Sequence, residues 1–357
     1  MSSKSKLIPV PRLLEIRYGV LEDLRGVLSS AAFDLRRPAI ATGGAASTAI
    51  ARNVTDVIGC DPGATHDKLN GHVSTATALA HSLRDDRSTT LIAVGGGRVI
   101  DTAKHACELI DIPLVVIPTC LSHDGLSSPI ASLMHSDGIR RSRGSVMPDG
   151  VVVDLAVVRD APPRTARAGA GDLLSNVTAI LDWRLAVRRG RDSFDGYSAL
   201  IAEEAASAFV LATRQSASQA LEALARGLVL SGLAMAAAGT SRPCSGAEHL
   251  VSHSLDAVLG SAARLHGEQV SVGLAIAAVL HEGVADMLRD VYAIWKLPSG
   301  PADLQLDQDV LVDAVIAAPE TRPDRYTILN EIDMRRAAVE EIIDRAVAAF
   351  ALPEVVA

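Results

Sequence analysis

The sequence has few aromatic residues, and its charged residues show no positive excess. Aromatics make up 3% of the 357 residues, so Ala, Val, Leu and Ile must supply most of the packing in the core. The 34 basic and 42 acidic residues give a formal net charge of −8 at pH 7. This charge provides no general attraction to nucleic acid or to an anionic membrane surface, so an anionic small molecule would need a local site.

Cysteines are also scarce, and none belongs to a C-x-x-C motif. The spacing of Cys60, Cys107, Cys120 and Cys244 argues against a disulfide scaffold and a cysteine-based zinc site, and it favours a reducing compartment. Residues 1–11 contain lysines and prolines instead of a long apolar segment, so we expect no signal peptide. No apolar run approaches the roughly 18 residues of a membrane span, and we expect a cytoplasmic protein.

Two kinds of apolar pattern divide the chain. Up to residue 154, short apolar runs alternate with amphipathic helical patterns, which is typical of β-α-β units around a parallel sheet. After Pro162 and Pro163 the pattern is helical. The sequence therefore predicts an α/β, Rossmann-like nucleotide-binding domain over residues 1–160 and an all-α domain over residues 161–357.

The same patterns predict individual elements. In the first domain we expect an edge strand at 14–17, strands at 38–42, 89–94, 114–117 and 151–154, helices at 45–58, 72–83 and 99–110, a loop at 63–70, and a hairpin or flexible loop at 130–148. In the second domain we expect helices at 164–190, 195–213, 216–239, 245–259 and 266–288, with shorter helices from 307 and 331.

Three consecutive glycines, Gly95, Gly96 and Gly97, lie between an apolar strand and an amphipathic helix. Without Cβ atoms the backbone can come close to a bound group and present the first N–H donors of the helix, which suits a pyrophosphate. The next strand also ends in a polar, glycine-containing loop, residues 118–125, and ligands of open α/β sheets bind at such strand ends. A tight turn without a ligand is the alternative for the glycines alone.

Gly43 follows the early strand 38–42 at a position where dinucleotide sites often carry an acidic residue. Such a carboxylate holds the ribose 2′-hydroxyl and would repel a 2′-phosphate. With glycine there, both NADH and NADPH stay open as cofactors.

Three histidines and one aspartate form the candidate metal site. His249 and His253 are four residues apart in a predicted helix, so their rings project from one face. His266 follows after a loop, and Asp172 stands between glycine and leucine in an otherwise apolar helical segment. One carboxylate and two imidazoles can bind a divalent ion and leave a coordination position open. A half-buried histidine pair and a helix-capping aspartate are the alternatives.

Asp124, beside His123 in the loop after a predicted strand, is a candidate substrate contact, with an Asx-turn as the alternative. Arg140, Arg141 and Arg143 favour a solvated surface over a phosphate site.

Seven segments, in this order along the chain, resemble the glycerol-1-phosphate dehydrogenases, a branch of the superfamily of metal-dependent alcohol dehydrogenases and 3-dehydroquinate synthase. They are GGGRVID (95–101), SHDGLSSP (122–129), GD (171–172), DWRLA (182–186), SGAEH (245–249), HGE (266–268) and RYTIL (325–329). The second and last segments are specific to this branch, whereas the glycine turn is shared across the superfamily.

The resemblance implies a dehydroquinate synthase-like fold with an active site in the cleft between the two domains. It implies a divalent metal, most often zinc, on Asp172, His249 and His266, with Asp124 and His253 contacting the substrate. It also implies that NAD(P)H is held by the following residues: Gly95, Gly96, Gly97, Arg98, Val99, Asp101, Thr119, Cys120, Ser122 and Ser128.

The implied reaction is the reversible reduction of dihydroxyacetone phosphate to sn-glycerol 1-phosphate, a step of phospholipid metabolism, by a homo-oligomer without nucleic-acid or membrane partners. Cys120 and Leu121 replace residues that are usually small in the family, and Arg325 is the candidate phosphate contact, with a structural ion pair as its alternative. A dehydrogenase of another polyol, cyclitol or sugar phosphate is the main alternative. A dehydroquinate synthase-like cyclase is disfavoured, because the segment 98–101 follows the dehydrogenase pattern.

Overall fold

The structure is a computed structural model that describes residues 8–59 and 64–351. The chain forms two compact units, one ending at Pro162 and the other beginning at Pro163. Three parts of the sequence analysis lie outside the described residues: Cys60, residues 1–7 of the N-terminal segment expected to lack a signal peptide, and the first residue of the expected loop at 63–70.

The first unit contains a six-stranded parallel sheet and a separate hairpin. Its strands are β1 (Leu13–Arg17), β2 (Pro38–Thr42), β3 (Thr65–His66), β4 (Thr90–Gly95), β5 (Leu114–Pro118), β6 (Ile130–Met134), β7 (Arg140–Gly144) and β8 (Gly150–Asp154). The large sheet has the order β1-β8-β5-β4-β2-β3, and β6 pairs with β7 in antiparallel orientation. Strands β2, β4, β5 and β8 are buried along their whole length, as expected for a parallel sheet covered on both faces.

The helices of this unit are α1 (Leu24–Ser30), α2 (Ala45–Ile58), α3 (Val73–Asp85), α4 (Gly97–Ile110) and α5 (Leu155–Arg159). The predicted α/β architecture is confirmed, including the edge position of β1. The loop expected at 63–70 is partly wrong, because Thr65 and His66 pair with β2 as a strand. Two residues are too short to give a periodic pattern. The segment 130–148 forms the hairpin of β6 and β7.

The register places the carboxyl ends of three strands at one edge of the sheet. Thr42 at the end of β2 is paired with Val94, and Gly95 at the end of β4 is paired with Pro118. The amide of Thr119 donates to the carbonyl of Gly95 over 3.1 Å, which ties the loop after β5 to the glycine turn. The loops that follow β2, β4 and β5 therefore start side by side.

The second unit is helical. Its helices are α6 (Pro163–Arg188), α7 (Gly196–Thr213), α8 (Ala217–Ala238), α9 (Ala247–Leu259), α10 (His266–Leu280), α11 (Val284–Trp295), α12 (Gln308–Ala317) and α13 (Arg336–Phe350). Short 3-10 turns at Ala318–Thr321 and Ile328–Glu331 precede α13, which begins five residues later than expected from the sequence pattern.

The helix expected at 266–288 is wrong, because two helices, α10 and α11, occupy that region. His281 adopts an extended conformation, and its Nε2 lies 3.1 Å from an oxygen of Asp182. Gly283 has a φ of +77°, which a residue with a side chain rarely adopts. Apolar residues continue on both sides of this break, so Gly283 was its main local signal in the sequence.

Helix α8 bears on the expectation that no apolar run reaches the length of a membrane span. Among the described helices it alone is long and apolar enough to cross a membrane by length and composition. Its most apolar window is 72% buried inside the structure, which is typical of a core helix. Close packing explains its small residues, since a Cβ on Gly227 would lie 2.5 Å from a methyl of Leu173.

Candidate metal site and nucleotide-binding loops

The three predicted metal ligands come together in the second unit. Asp172 lies within α6, His249 in the first turn of α9, and His266 at the first residue of α10. Oδ1 of Asp172 is 3.6 Å from Nε2 of His249 and 3.5 Å from Nε2 of His266. Ligand atoms around a tetrahedral zinc ion stand about 3.4 Å apart, so this spacing fits such an ion. Within the described ranges, no other group of three His, Cys, Asp or Glu residues is placed to hold a metal.

Glycines beside the ligands allow the helices to approach. A Cβ on Gly171 would lie 2.5 Å from the carbonyl oxygen of Gly267, and one on Gly267 would overlap the backbone of Ala168. Helices α6 and α10 therefore touch backbone to backbone next to Asp172 and His266. This contact accounts for the glycines in the GD and HGE segments.

Each histidine ligand has a partner on its other ring nitrogen. Nδ1 of His249 lies 3.1 Å from Oε1 of the fully buried Glu248, whose Oε2 accepts a 2.8 Å hydrogen bond from Thr178. Nδ1 of His266 lies 3.2 Å from the hydroxyl of Ser252. Such partners orient a metal-binding imidazole and fix which nitrogen faces the ion. Both rings present Nε2 towards Asp172.

Charges in the site shift the histidine pKa values in opposite directions. Burial acts to lower the pKa of His249, but hydrogen bonds to Asp172 and Glu248 outweigh it and raise that pKa to about 9. Burial lowers the pKa of His266. His253 has a pKa well below its ordinary value because of burial and the positive charge of His249, among others. Its ring centroid is 6.3 Å from that of His249 and 6.4 Å from that of His266, so His253 borders the three ligands.

Asp182 is a buried anchor that sequence reasoning assigned to no role. One of its carboxylate oxygens accepts hydrogen bonds from the amide of Ile328 over 2.7 Å and from His281, and the other accepts from the amide of Ala247 over 2.7 Å. The carboxylate thus joins the start of α9 to the RYTIL segment. Burial raises its pKa. The only signal was its membership of the DWRLA segment.

Arg325, the candidate phosphate contact, is 8% exposed, and its Nη1 donates to the carbonyl of Ser245 over 2.6 Å. Among the described residues, no carboxylate lies within ion-pairing distance of it, so the structural ion pair offered as an alternative is not seen.

In the first unit, the space above each glycine of the turn is filled by protein. A Cβ on Gly95 would lie 2.6 Å from Val99, one on Gly96 would lie 3.2 Å from the sulfur of Cys120, and one on Gly97 would overlap the ring of His123. Packing alone therefore requires small residues here. Helix α4 still begins without a side-chain cap, which leaves its first backbone donors suited to an anionic group.

The other predicted cofactor residues lie in the first turns of α4 or in the segment between β5 and β6. Cys120 and Ser122 are half-buried in the loop after β5, and burial raises the pKa of the Cys120 thiol. Ser128 is buried, and its hydroxyl donates to the carbonyl of Ile130 over 3.5 Å. Arg98 and Val99 lie in the first turn of α4.

Lys104 is a second residue that sequence reasoning missed. Its ammonium is fully buried and donates to the carbonyls of Gly125 and Ile130, the latter over 2.9 Å, so it secures the loop that carries Asp124. Burial lowers the pKa of Lys104 to about 8 and raises that of Asp101, three residues earlier on α4, to about 6. Asp101 is thus a buried neighbour of this lysine. The signal available in the sequence was the spacing of Asp101 and Lys104, three residues apart on a predicted helix.

Gly43 also has a packing reason to be glycine. A Cβ there would lie 2.7 Å from Val99 and 3.0 Å from the carbonyl oxygen of Leu69, whereas Gly44 has open space around it.

Comparison with known proteins agrees with this fold. A family model described as iron-containing alcohol dehydrogenase matches residues 15–162. The chain is 36% identical over 275 residues to a glycerol-1-phosphate dehydrogenase [NAD(P)+] of Nitrosopumilus maritimus, covering 75% of this chain and 76% of that protein. It is 34% identical to the enzyme of the same name from Methanosarcina mazei, covering 92% of this chain and 93% of the relative.

Solved structures share the fold. The crystal structure of a probable glycerol dehydrogenase from Sinorhizobium meliloti aligns with a TM-score of 0.75 at 22% identity, over 97% of this chain and 99% of that one. The sequence identities to the curated relatives, which extend over most of both chains, show that this chain belongs to the glycerol-1-phosphate dehydrogenase family of metal-containing, NAD(P)-dependent oxidoreductases.

Proposed function

We propose that the chain reduces dihydroxyacetone phosphate reversibly to sn-glycerol 1-phosphate, with NADH or NADPH as reductant and zinc held by Asp172, His249 and His266. The observation that carries the proposal is the spacing of these three ligand atoms, 3.5 and 3.6 Å from the aspartate oxygen to the two imidazole nitrogens. The names of the curated relatives support the choice of substrate.

When bound, zinc supplies a Lewis acid for the ketone oxygen, and the nicotinamide supplies the hydride. The chain's own residues position these groups and handle the proton. Glu248 and Ser252 hold the two histidine rings with Nε2 forward. Burial and neighbouring positive charge hold the pKa of His253 well below its ordinary value, which favours the neutral ring with one N–H and one lone pair. One ring nitrogen would donate its proton to the product oxygen while the other accepts a proton from water, so the imidazole stays neutral and the water leaves as hydroxide.

The first unit is proposed to bind the nucleotide and the second to bind metal and substrate. The uncapped start of α4 supports a pyrophosphate contact at Gly97 and Arg98. Lys104 would hold the loop of Ser122 and Ser128 in place for the cofactor. Asp124 is proposed as a substrate contact on the family resemblance.

We further propose a cytoplasmic homo-oligomer. The three cysteines within the described ranges are all free thiols, as in a reducing compartment. Tyr197, Leu200 and Leu211 on α7 are each more than half exposed, and exposed apolar side chains on one helix favour self-association.

The test follows nicotinamide absorbance at 340 nm with dihydroxyacetone phosphate, zinc-loaded protein, and NADH or NADPH in parallel. We expect oxidation with at least one cofactor, its loss in the presence of a chelator, and its return on addition of zinc. Chiral analysis should identify the sn-glycerol 1-phosphate enantiomer. No oxidation with either cofactor, from protein shown to be folded and metallated, would refute the proposed substrate and direct attention to other polyols or cyclitols.

A further inference from the structure

A cluster of arginines lies in the second unit near His253. Arg242 lies between α8 and α9, and Arg322 and Arg325 follow the 3-10 turn Ala318–Thr321, which packs against α9. The positive charges of Arg322 and Arg242 act on Arg325, and those of Arg322 and Arg325 act on His253. The three guanidinium groups thus share one region beside the helix that carries His249 and His253.

The three arginines differ in how their charge is balanced. Arg242 is buried and fully engaged, since its Nε donates to Asp192 over 2.6 Å and its Nη1 donates to the carbonyl of Tyr326 over 2.8 Å. Asp192 therefore balances the charge of Arg242, and the hydrogen bond to Tyr326 holds the backbone next to Arg325.

Arg322 and Arg325 have no such counter-ion. Nη1 of Arg325 donates to a carbonyl, and Nη1 of Arg322 donates to the hydroxyl of Ser241 over 3.3 Å. In the part of the chain that the structure describes, no carboxylate oxygen lies within 4.0 Å of either guanidinium. Arg325 is more than nine-tenths buried, and the carboxylates that act on its charge, Asp324 and Glu248, do so without forming an ion pair with it. Burying a charge without a hydrogen-bonded counter-ion is unfavourable, so the buried Arg325, with the half-buried Arg322 near it in sequence, is suited to an anion from outside the chain.

The planar donor forks of two arginines match the oxygens of a phosphate group better than those of a neutral hydroxyl. We propose that Arg322 and Arg325 bind the phosphate of a phosphomonoester substrate, while Arg242 positions the segment that carries them. The identity of that substrate as dihydroxyacetone phosphate rests on the proposed function; the anion site rests on the arginines.

The first measurement is calorimetric titration of zinc-loaded protein with inorganic phosphate. We expect binding by the wild type and a roughly 10- to 100-fold weaker affinity in Arg322→Gln, because charge-assisted hydrogen bonds are lost. Arg325→Lys keeps the charge of the more buried residue but loses the fork, and it should also weaken binding. Arg226→Gln, which removes an exposed arginine of α8, is the matched control and should bind as the wild type does.

The second measurement compares dihydroxyacetone phosphate with dihydroxyacetone. Arg322→Gln should raise KM for the phosphorylated ketone by a similar factor, and it should lower kcat/KM for the phosphorylated ketone much more than for the unphosphorylated one. Absence of phosphate binding in the wild type, or equal affinity in wild type and Arg322→Gln, would overturn the proposal. Phosphate binding that depends on these arginines, without any turnover of dihydroxyacetone phosphate, would support the anion site and refute the proposed reaction.

Discussion

The candidate metal site and the glycine turn differ in the groups that would bind a ligand: side chains at the metal site and backbone amides at the turn. At the metal site, side chains from α6, α9 and α10 supply the donor atoms, and each histidine is oriented by a named partner. At the glycine turn the available donors are backbone amides, and the residues around them are small because protein side chains fill the space. A site made of side-chain donors can be identified directly from its residue types. A site made of backbone amides can be identified only indirectly, from the small residues that expose the backbone.

The largest effect should follow removal of a donor atom from the metal site. His266→Ala should lower kcat/KM by about 10³-fold or more, because several kcal/mol of charge stabilisation depend on the ion. The side chain is one-third exposed, so the fold should survive, as circular dichroism would show. Metal content, measured by plasma mass spectrometry, should fall with activity. Full metal content with full turnover would contradict the assignment.

A smaller effect should follow loss of a partner to a histidine. Glu248→Gln should weaken metal affinity and activity by roughly 10- to 100-fold, because the amide no longer supports Nδ1 of His249 as a carboxylate does. Ser252→Ala, which removes the neutral partner of His266, is the matched comparison. It should lower metal affinity and activity less than Glu248→Gln does. Competition with a chromophoric chelator measures both affinities. Equal losses in the two variants would show that the charge of Glu248 is unimportant.

In the first unit, the buried pair on α4 should make stability depend on pH. Because the pKa of Asp101 is raised to about 6 in the folded state, the folded protein binds more protons than the unfolded one between about pH 4 and pH 6. The free energy of unfolding should therefore fall as pH rises from 4 to 7, by about 2–3 kcal/mol from this group.

Asp101→Asn should remove that fall, and Asp111→Asn, at the end of the same helix, should retain it. Urea denaturation at several pH values measures the difference. A fall of the same size in Asp101→Asn and the wild type would contradict the raised pKa.

The smallest predicted effect concerns the choice of cofactor at the end of β2. Gly43→Asp is a poor probe because its Cβ would press against Val99, but Gly44 has open space. If the nucleotide ribose lies there, Gly44→Asp should lower kcat/KM for NADPH relative to NADH by roughly 10-fold through repulsion of the 2′-phosphate. Gly44→Asn, of the same size and capping ability, should leave the ratio unchanged. An unchanged ratio in both variants would place the ribose elsewhere.

The sequence predicted most of the fold because its apolar patterns are long and regular. The strands at 38–42, 114–117 and 151–154 and the helix at 45–58 all lie within one residue of the observed bounds. The errors occur where a contact distant in sequence decides the local structure. The break after α10 depends on His281 meeting Asp182, about a hundred residues earlier, and β3 exists only because it pairs with β2.

For the site, the sequence brought Asp172, His249 and His266 forward by residue type and family pattern. It could not identify the partners that orient them, since Ser252 meets His266 only across a helix-to-helix contact. The roles of Lys104 and Asp182 were not predicted, because the sequence does not show whether a charged residue is buried or exposed. Their burial becomes evident only from the residues that pack around them in the structure. The roles of the predicted cofactor residues in the first unit stay predictions.

The backbone contact between Gly171 and Gly267 has a thermodynamic consequence. Because α6 and α10 are locked together by helix packing, the entropy needed to assemble the ligands is lost during folding and not during metal binding. The metal ion should then act as an ordinary ligand of an already folded protein and stabilise it by an amount that grows with the logarithm of its free concentration. This behaviour would set the protein apart from small zinc domains, whose folding waits for the metal.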